Sequence, residues 1–87
     1  RKLVKEYFLI FSKYLINGEE HEEPLMRKLS KNERSILIWK QAESAQTFIE
    51  SNSLLNSFVK MVDKNYLREK ANSYKLNGLI LKSEIFD

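Results

Sequence analysis

The sequence predicts a mainly α domain that ends in a small C-terminal β-hairpin, with an all-α bundle of three or four helices as the alternative. Three observations carry this. Apolar residues recur at three- and four-residue spacing through 1–16, 31–51 and 53–64, the period of one helical face. Only two glycines and one proline interrupt 87 residues. Past Lys64 the chain holds Asn72, Ser73, Asn77 and Gly78, which are poor inside helices and favourable in tight turns.

In the first stretch Leu3, Tyr7, Ile10 and Tyr14 form one row and Val4, Phe8, Phe11 and Leu15 the adjacent one. A stripe this wide needs a cover, either the rest of the domain or a second copy of the same helix. Tyr7, Phe8, Phe11 and Tyr14 are therefore the candidate partner-binding residues, for a homodimer or another protein. Asn17-Gly18 stops the helix with residues that accept a positive φ. The acidic connector 17–24 follows. It contains the only histidine, His21, among Glu19, Glu20, Glu22 and Glu23. Consecutive side chains on a loop do not preorganise a metal site, so no metal and no cofactor is expected.

Pro24 suits a first helical turn, and Ser30-Lys31-Asn32-Glu33 has the spacing of a capping box, which places a helix start at Lys31. The inward row of that helix is Leu37 or Ile38, Ala42, Ala45 and Ile49, with Ile36, Trp39 and Phe48 beside it. Ser51-Asn52-Ser53 ends it and supplies caps for the next run. There Leu55, Phe58, Val59, Val62 and Tyr66 share a face, while Asn56, Ser57, Lys60, Asp63 and Lys64 point outward. Beyond Lys64 two readings compete. Tyr66–Glu69 and Ser73–Leu76 make two strands of a hairpin, or Leu67, Ala71, Tyr74, Gly78, Leu81 and Ile85 continue one helical face. The turn-forming residues favour the hairpin.

The expected organisation is one domain over 1–87, with an amphipathic helix at 1–16, the connector at 17–24 and a core at 25–87. A chain of this length buries about 60 to 65% of the surface its unfolded form exposes. Without cysteine there is no disulfide framework and no thiolate zinc site, and the chain suits a reducing interior, cytoplasmic or nuclear. No stretch of 18 uncharged apolar residues and no signal-peptide pattern is present, so no membrane association is expected.

Catalytic readings fail for lack of parts. One histidine in an acidic loop cannot serve a serine nucleophile, and the two glycines stand too far apart for a phosphate loop. The acidic residues lie where exposure removes the desolvation that tunes a general acid. The expectation is a non-enzymatic protein.

The net charge of +3 is modest, but its distribution is uneven. Between Ser53 and Lys82 six cations (Lys60, Lys64, Arg68, Lys70, Lys75, Lys82) face two anions, Asp63 and Glu69. The order Ser53-Leu54, Phe58, Met61-Val62-Asp63-Lys64-Asn65-Tyr66-Leu67-Arg68, a polar turn and Tyr74-Lys75-Leu76 resembles the recognition helix and wing of winged helix-turn-helix proteins. Leu29 through Ile38 is similar to the opening of the first helix in such modules. The second helix and its tight turn are the part of that pattern missing here, with bulky Phe48 near the turn.

The resemblance implies a DNA-binding module of transcription regulation whose 53–64 helix enters a major groove. Asn56 and Ser57 would then lie nearest the bases, and Ser53, Lys60 and Lys64 nearest phosphates. Arg68, Lys70, Asn72 and Lys75 would be wing contacts, and double-stranded DNA the partner. The competing expectation is a helical protein–protein interaction module that works through its aromatic first helix.

Overall fold

Residues 5–87 are described in the computed structural model. They order as β1 (Tyr7–Ile16), β2 (Glu19–Pro24), β3 (Met26–Lys28), β4 (Glu33–Trp39), α1 (Ala42–Ser51), β5 (Ser57–Val62), α2 (Lys64–Leu76) and β6 (Ile80–Phe86). Strand makes up 47% and helix 28% of the described residues, which overturns both the mainly α expectation and the all-α bundle. This mainly β content conflicts with the helical and winged-helix expectations, and among the described residues no helix precedes β1.

The strands form one mixed sheet. β1 pairs antiparallel with β2 and β5, β3 antiparallel with β4, and β6 parallel with β4. β1 and β4 touch directly only where Phe8 lies opposite Trp39. Leu25 spans the angle between them, donating to the Ile10 carbonyl at 2.7 Å and accepting from Leu37 at 3.4 Å. β5 and β6 form the two outer edges.

The two helices cover opposite faces. Leu9, Phe11, Ile36, Ile38 and Val62 pack with Tyr66 and Leu67 of α2. Ile10, Leu37 and Trp39 pack with Ala45 and Ile49 of α1. Successive residues of β1 and β4 therefore enter opposite cores, as in a strand buried on both sides.

That double burial explains the first correction. A strand covered on both faces reads as an unbroken apolar run, and such a run satisfies a helical row as readily as a strand. Tyr7–Ile16 is strand where a helix over 1–16 was expected, and residues 1–4 of that expected helix lie outside the described ones. Its aromatic and β-branched residues fit a pleated surface. Asn17 (φ 51°) and Gly18 (φ 82°) do adopt the positive φ the sequence suggests, but as the two central residues of a hairpin between β1 and β2. The acidic connector is thus strand β2.

The helix expected from Lys31 divides into β4 and α1. Ser35-Ile-Leu-Ile-Trp39 is the most buried run in the chain and takes the extended form. The Ser30/Glu33 spacing makes a turn instead of a cap. Leu29 and Ser30 both donate to the Glu33 carbonyl, and the Ser30 hydroxyl lies 3.3 Å from the Glu33 carboxylate. The expected 53–64 helix is a loop followed by β5, whose successive residues Phe58 and Val59 enter opposite cores.

The expected hairpin at 66–76 is helix α2. Asp63 caps it, accepting from the Tyr66 amide at 2.9 Å. Gly78 (φ 77°) ends it: Gly78 N–H donates to the Lys75 carbonyl and Leu79 N–H to the Tyr74 carbonyl, a Schellman closure. Asn72 and Ser73 stay tolerable because both are exposed. Strand β6 follows Asn77-Gly78, and the crossover through α2 lets it run parallel to β4.

Candidate functional site

Tyr66, Leu67, Lys70, Ala71 and Tyr74 are the half-buried residues of α2, with Tyr66 and Leu67 against the sheet core. That choice of buried face fixes the exposed one. Lys64, Arg68, Asn72 and Lys75 follow at spacings of four, four and three, so they form one exposed row along the helix. The row spans about 16 Å at 1.5 Å per residue. Lys64, Arg68 and Lys75 take part in no ion pair among the described residues. Three of the six strand cations behave differently: Arg27 is held by Glu84 at 2.7 Å, Lys60 by Glu22 at 3.0 Å and Lys82 by Glu33 at 3.3 Å. Arg68 is steadied by a 3.4 Å contact to the Asn65 side chain one turn earlier. Lys75 lies in the last turn, where the helix dipole favours a cation.

The other residues singled out by sequence fall elsewhere. Ser53 (φ 51°) and Asn56 (φ 54°) shape the loop between α1 and β5. Ser57 and Lys60 belong to β5. Lys60 is further held over the Phe11 ring at 5.1 Å. Lys70 sits on the buried flank of α2, over the Tyr66 ring at 5.6 Å. Four of the nine residues are thus brought together, by a helix where a wing was expected. The 53–64 recognition helix does not exist. Leu67, Ala71 and Tyr74, the helical row visible in the sequence, were the signal that places these four together.

The four aromatic candidates on β1 do not share a face. Phe11 is 3% exposed, stacked on Phe58 at 5.9 Å and edge-on to Tyr66 at 6.0 Å. Tyr7 packs on the same core and Phe8 on the opposite one. Only Tyr14 projects, stacked on His21 at 5.6 Å in the overhanging β1–β2 hairpin. The cover that this aromatic stripe needs is α2 on one side and α1 on the other.

Beneath α2, burial pushes the Tyr66 and Tyr74 phenols above their ordinary range, and the charge of Glu23 adds to both shifts. These groups are neutral hydroxyls at physiological pH. No three His, Asp or Glu side chains gather at metal-binding distance among the described residues. No helix among them is long and apolar enough to cross a membrane. Comparison with known protein families, with curated proteins and with solved structures finds no match.

Proposed function

We propose that this chain is a non-catalytic nucleic-acid-binding domain that contacts the phosphate backbone through α2. The observation that supports it is the row of Lys64, Arg68 and Lys75, exposed, aligned on one helix face and without carboxylate partners among the described residues, whereas Arg27, Lys60 and Lys82 on the strands are each held by a glutamate. Unpaired cations on a rigid helix interact with a regularly charged polymer at little cost in ordering. Asn72 in the same row adds a neutral donor. The reading needs no groove-inserted helix and implies little base specificity, since no row of base-reading side chains accompanies the cations. Under it the protein acts inside the cell, in cytoplasm or nucleus.

Fluorescence anisotropy with a mixed-sequence DNA duplex at two salt concentrations tests it. Three phosphate contacts give a log–log salt slope of about −2.7. Changing Lys64, Arg68 and Lys75 together to Glu should abolish binding while the far-ultraviolet spectrum stays unchanged. Absence of binding by the unaltered protein at low salt, or equal binding by the folded triple variant, overturns the proposal.

A further inference from the structure

We infer that the chain associates with a second copy of itself through β6, antiparallel, about a twofold axis at Ser83. β6 is a seven-residue outer strand with neither proline nor glycine, and among the described residues only β4 pairs with it. Natural edges of this length are normally shortened, bulged or covered, because their free amides and carbonyls are a template for another strand.

The direction of those free groups follows from two hydrogen bonds. Ile80 N–H donates to the Asn32 carbonyl at 2.8 Å, and the Phe86 carbonyl accepts from Lys40 at 2.9 Å. Even-numbered residues of β6 therefore turn their backbone groups toward the β4 side. By alternation Leu81, Ser83 and Ile85 turn theirs outward. An antiparallel copy centred on Ser83 pairs each Leu81 with Ile85 of the other copy and Ser83 with itself. All three are pairs of the hydrogen-bonded kind.

The side chains agree with that register. Ile80-Leu81-Lys82-Ser83-Glu84-Ile85-Phe86 reads backwards as the same succession of apolar, charged and polar positions with the charges exchanged. Lys82 comes opposite Glu84 of the second copy, and Ile80 opposite Phe86. Ile80 and Ile85 are each 55% exposed and Phe86 39%, so the pairing covers apolar surface now in water. Within one copy Lys82 already pairs with Glu33 and Glu84 with Arg27. Across the seam the charges then alternate as Glu33, Lys82, Glu84, Arg27, and the twofold axis repeats the row.

Other registers fail. An axis at residue 82 or 84 opposes like charges, one at 81 or 85 sets Lys82 or Glu84 against an apolar side chain, and an axis between residues sets outward backbone groups against ones turned toward β4. β5, the opposite edge, carries Lys60 and no carboxylate, so it has no such self-complementarity. A twofold axis normal to the sheet keeps both α2 helices on one face of the doubled sheet.

Sedimentation equilibrium from micromolar to millimolar concentration, with circular dichroism as the folding control, tests this. The unaltered chain should dimerise. Ser83→Pro removes an outward N–H and leaves the ladder to β4 intact, so it should be monomeric. Lys82→Glu and Glu84→Lys should each weaken the dimer about tenfold or more, since two opposite-charge pairs become like-charge pairs. An equimolar mixture of those two variants should form a heterodimer. A chain that stays monomeric at millimolar concentration overturns the inference, as does a folded Ser83→Pro variant that dimerises like the original. If the charge variants alone dimerise as tightly as the original and mixing adds nothing, this register is overturned.

Discussion

Arg27 and Glu84 stand 57 positions apart, yet the Arg27 Nε and Nη2 both donate to one carboxylate oxygen of Glu84, at 2.9 and 2.7 Å. The pair reaches across β4 from β3 to β6, over the fully buried Ser35. Ser35 Oγ makes no hydrogen bond of standard geometry. The Arg27 hydrogen bonds hold the Glu84 carboxyl below its ordinary range. A depressed carboxyl contributes stability above its unfolded pKa and loses it as pH falls through the folded value. Glu84→Gln should therefore flatten the acid limb of the stability profile, with little change in its shape above neutrality. Thermal melts from pH 7 down through the carboxylate range check this.

Lys60 and Lys64 lie four positions apart but on different elements, β5 and α2. Lys60 is engaged by Glu22 and the Phe11 ring, whereas Lys64 is free along α2. Lys64→Glu should weaken duplex binding by about 1 kcal/mol, roughly fivefold, while Lys60→Ala leaves it unchanged. Anisotropy titrations at low salt separate the two.

Ser53 occupies the position after the α1 C-cap at φ 51°, its amide bonded to the Glu50 carbonyl and Leu54 to the Ile49 carbonyl. This is the closure that glycine favours, because a side chain is strained at positive φ. Ser53→Gly should raise stability by about 0.5 to 1 kcal/mol, read from urea denaturation.

Asp63 holds the first turn of α2 through the Tyr66 amide. Asp63→Ala should cost about 1 kcal/mol of stability. The loss should show in the same denaturation experiment, and hydrogen exchange should locate it in the first turn of α2.

Leu9 is fully buried between Phe11, Ile36, Ile38 and Val62, while Leu55 is 82% exposed in the loop before β5. Leu9→Ala should cost about 2 to 5 kcal/mol, and Leu55→Ala about 0.5 kcal/mol or less. The contrast checks that the sheet core, and not a helical bundle, carries the fold.

What the sequence by itself determined is local. Asn17-Gly18 had to turn, Ser30 to Glu33 had to be a boundary, and the apolar runs at 7–11 and 35–39 had to be buried. The row Leu67, Ala71, Tyr74 is the inner face of α2, but in the sequence it stood only as the alternative to the hairpin that the turn-forming residues favoured. What only the tertiary structure decided is the conformation of those apolar runs and the grouping of the charges. Tyr7–Phe11 and Ser35–Trp39 are apolar at every position or nearly so, and the strand form prevailed because α1 and α2 cover both faces at once. Lys82 joins Glu33 and Arg27 joins Glu84 only because the α2 crossover lays β6 parallel to β4. Periodicity records which residues avoid water along one segment. It does not record which distant segment does the covering.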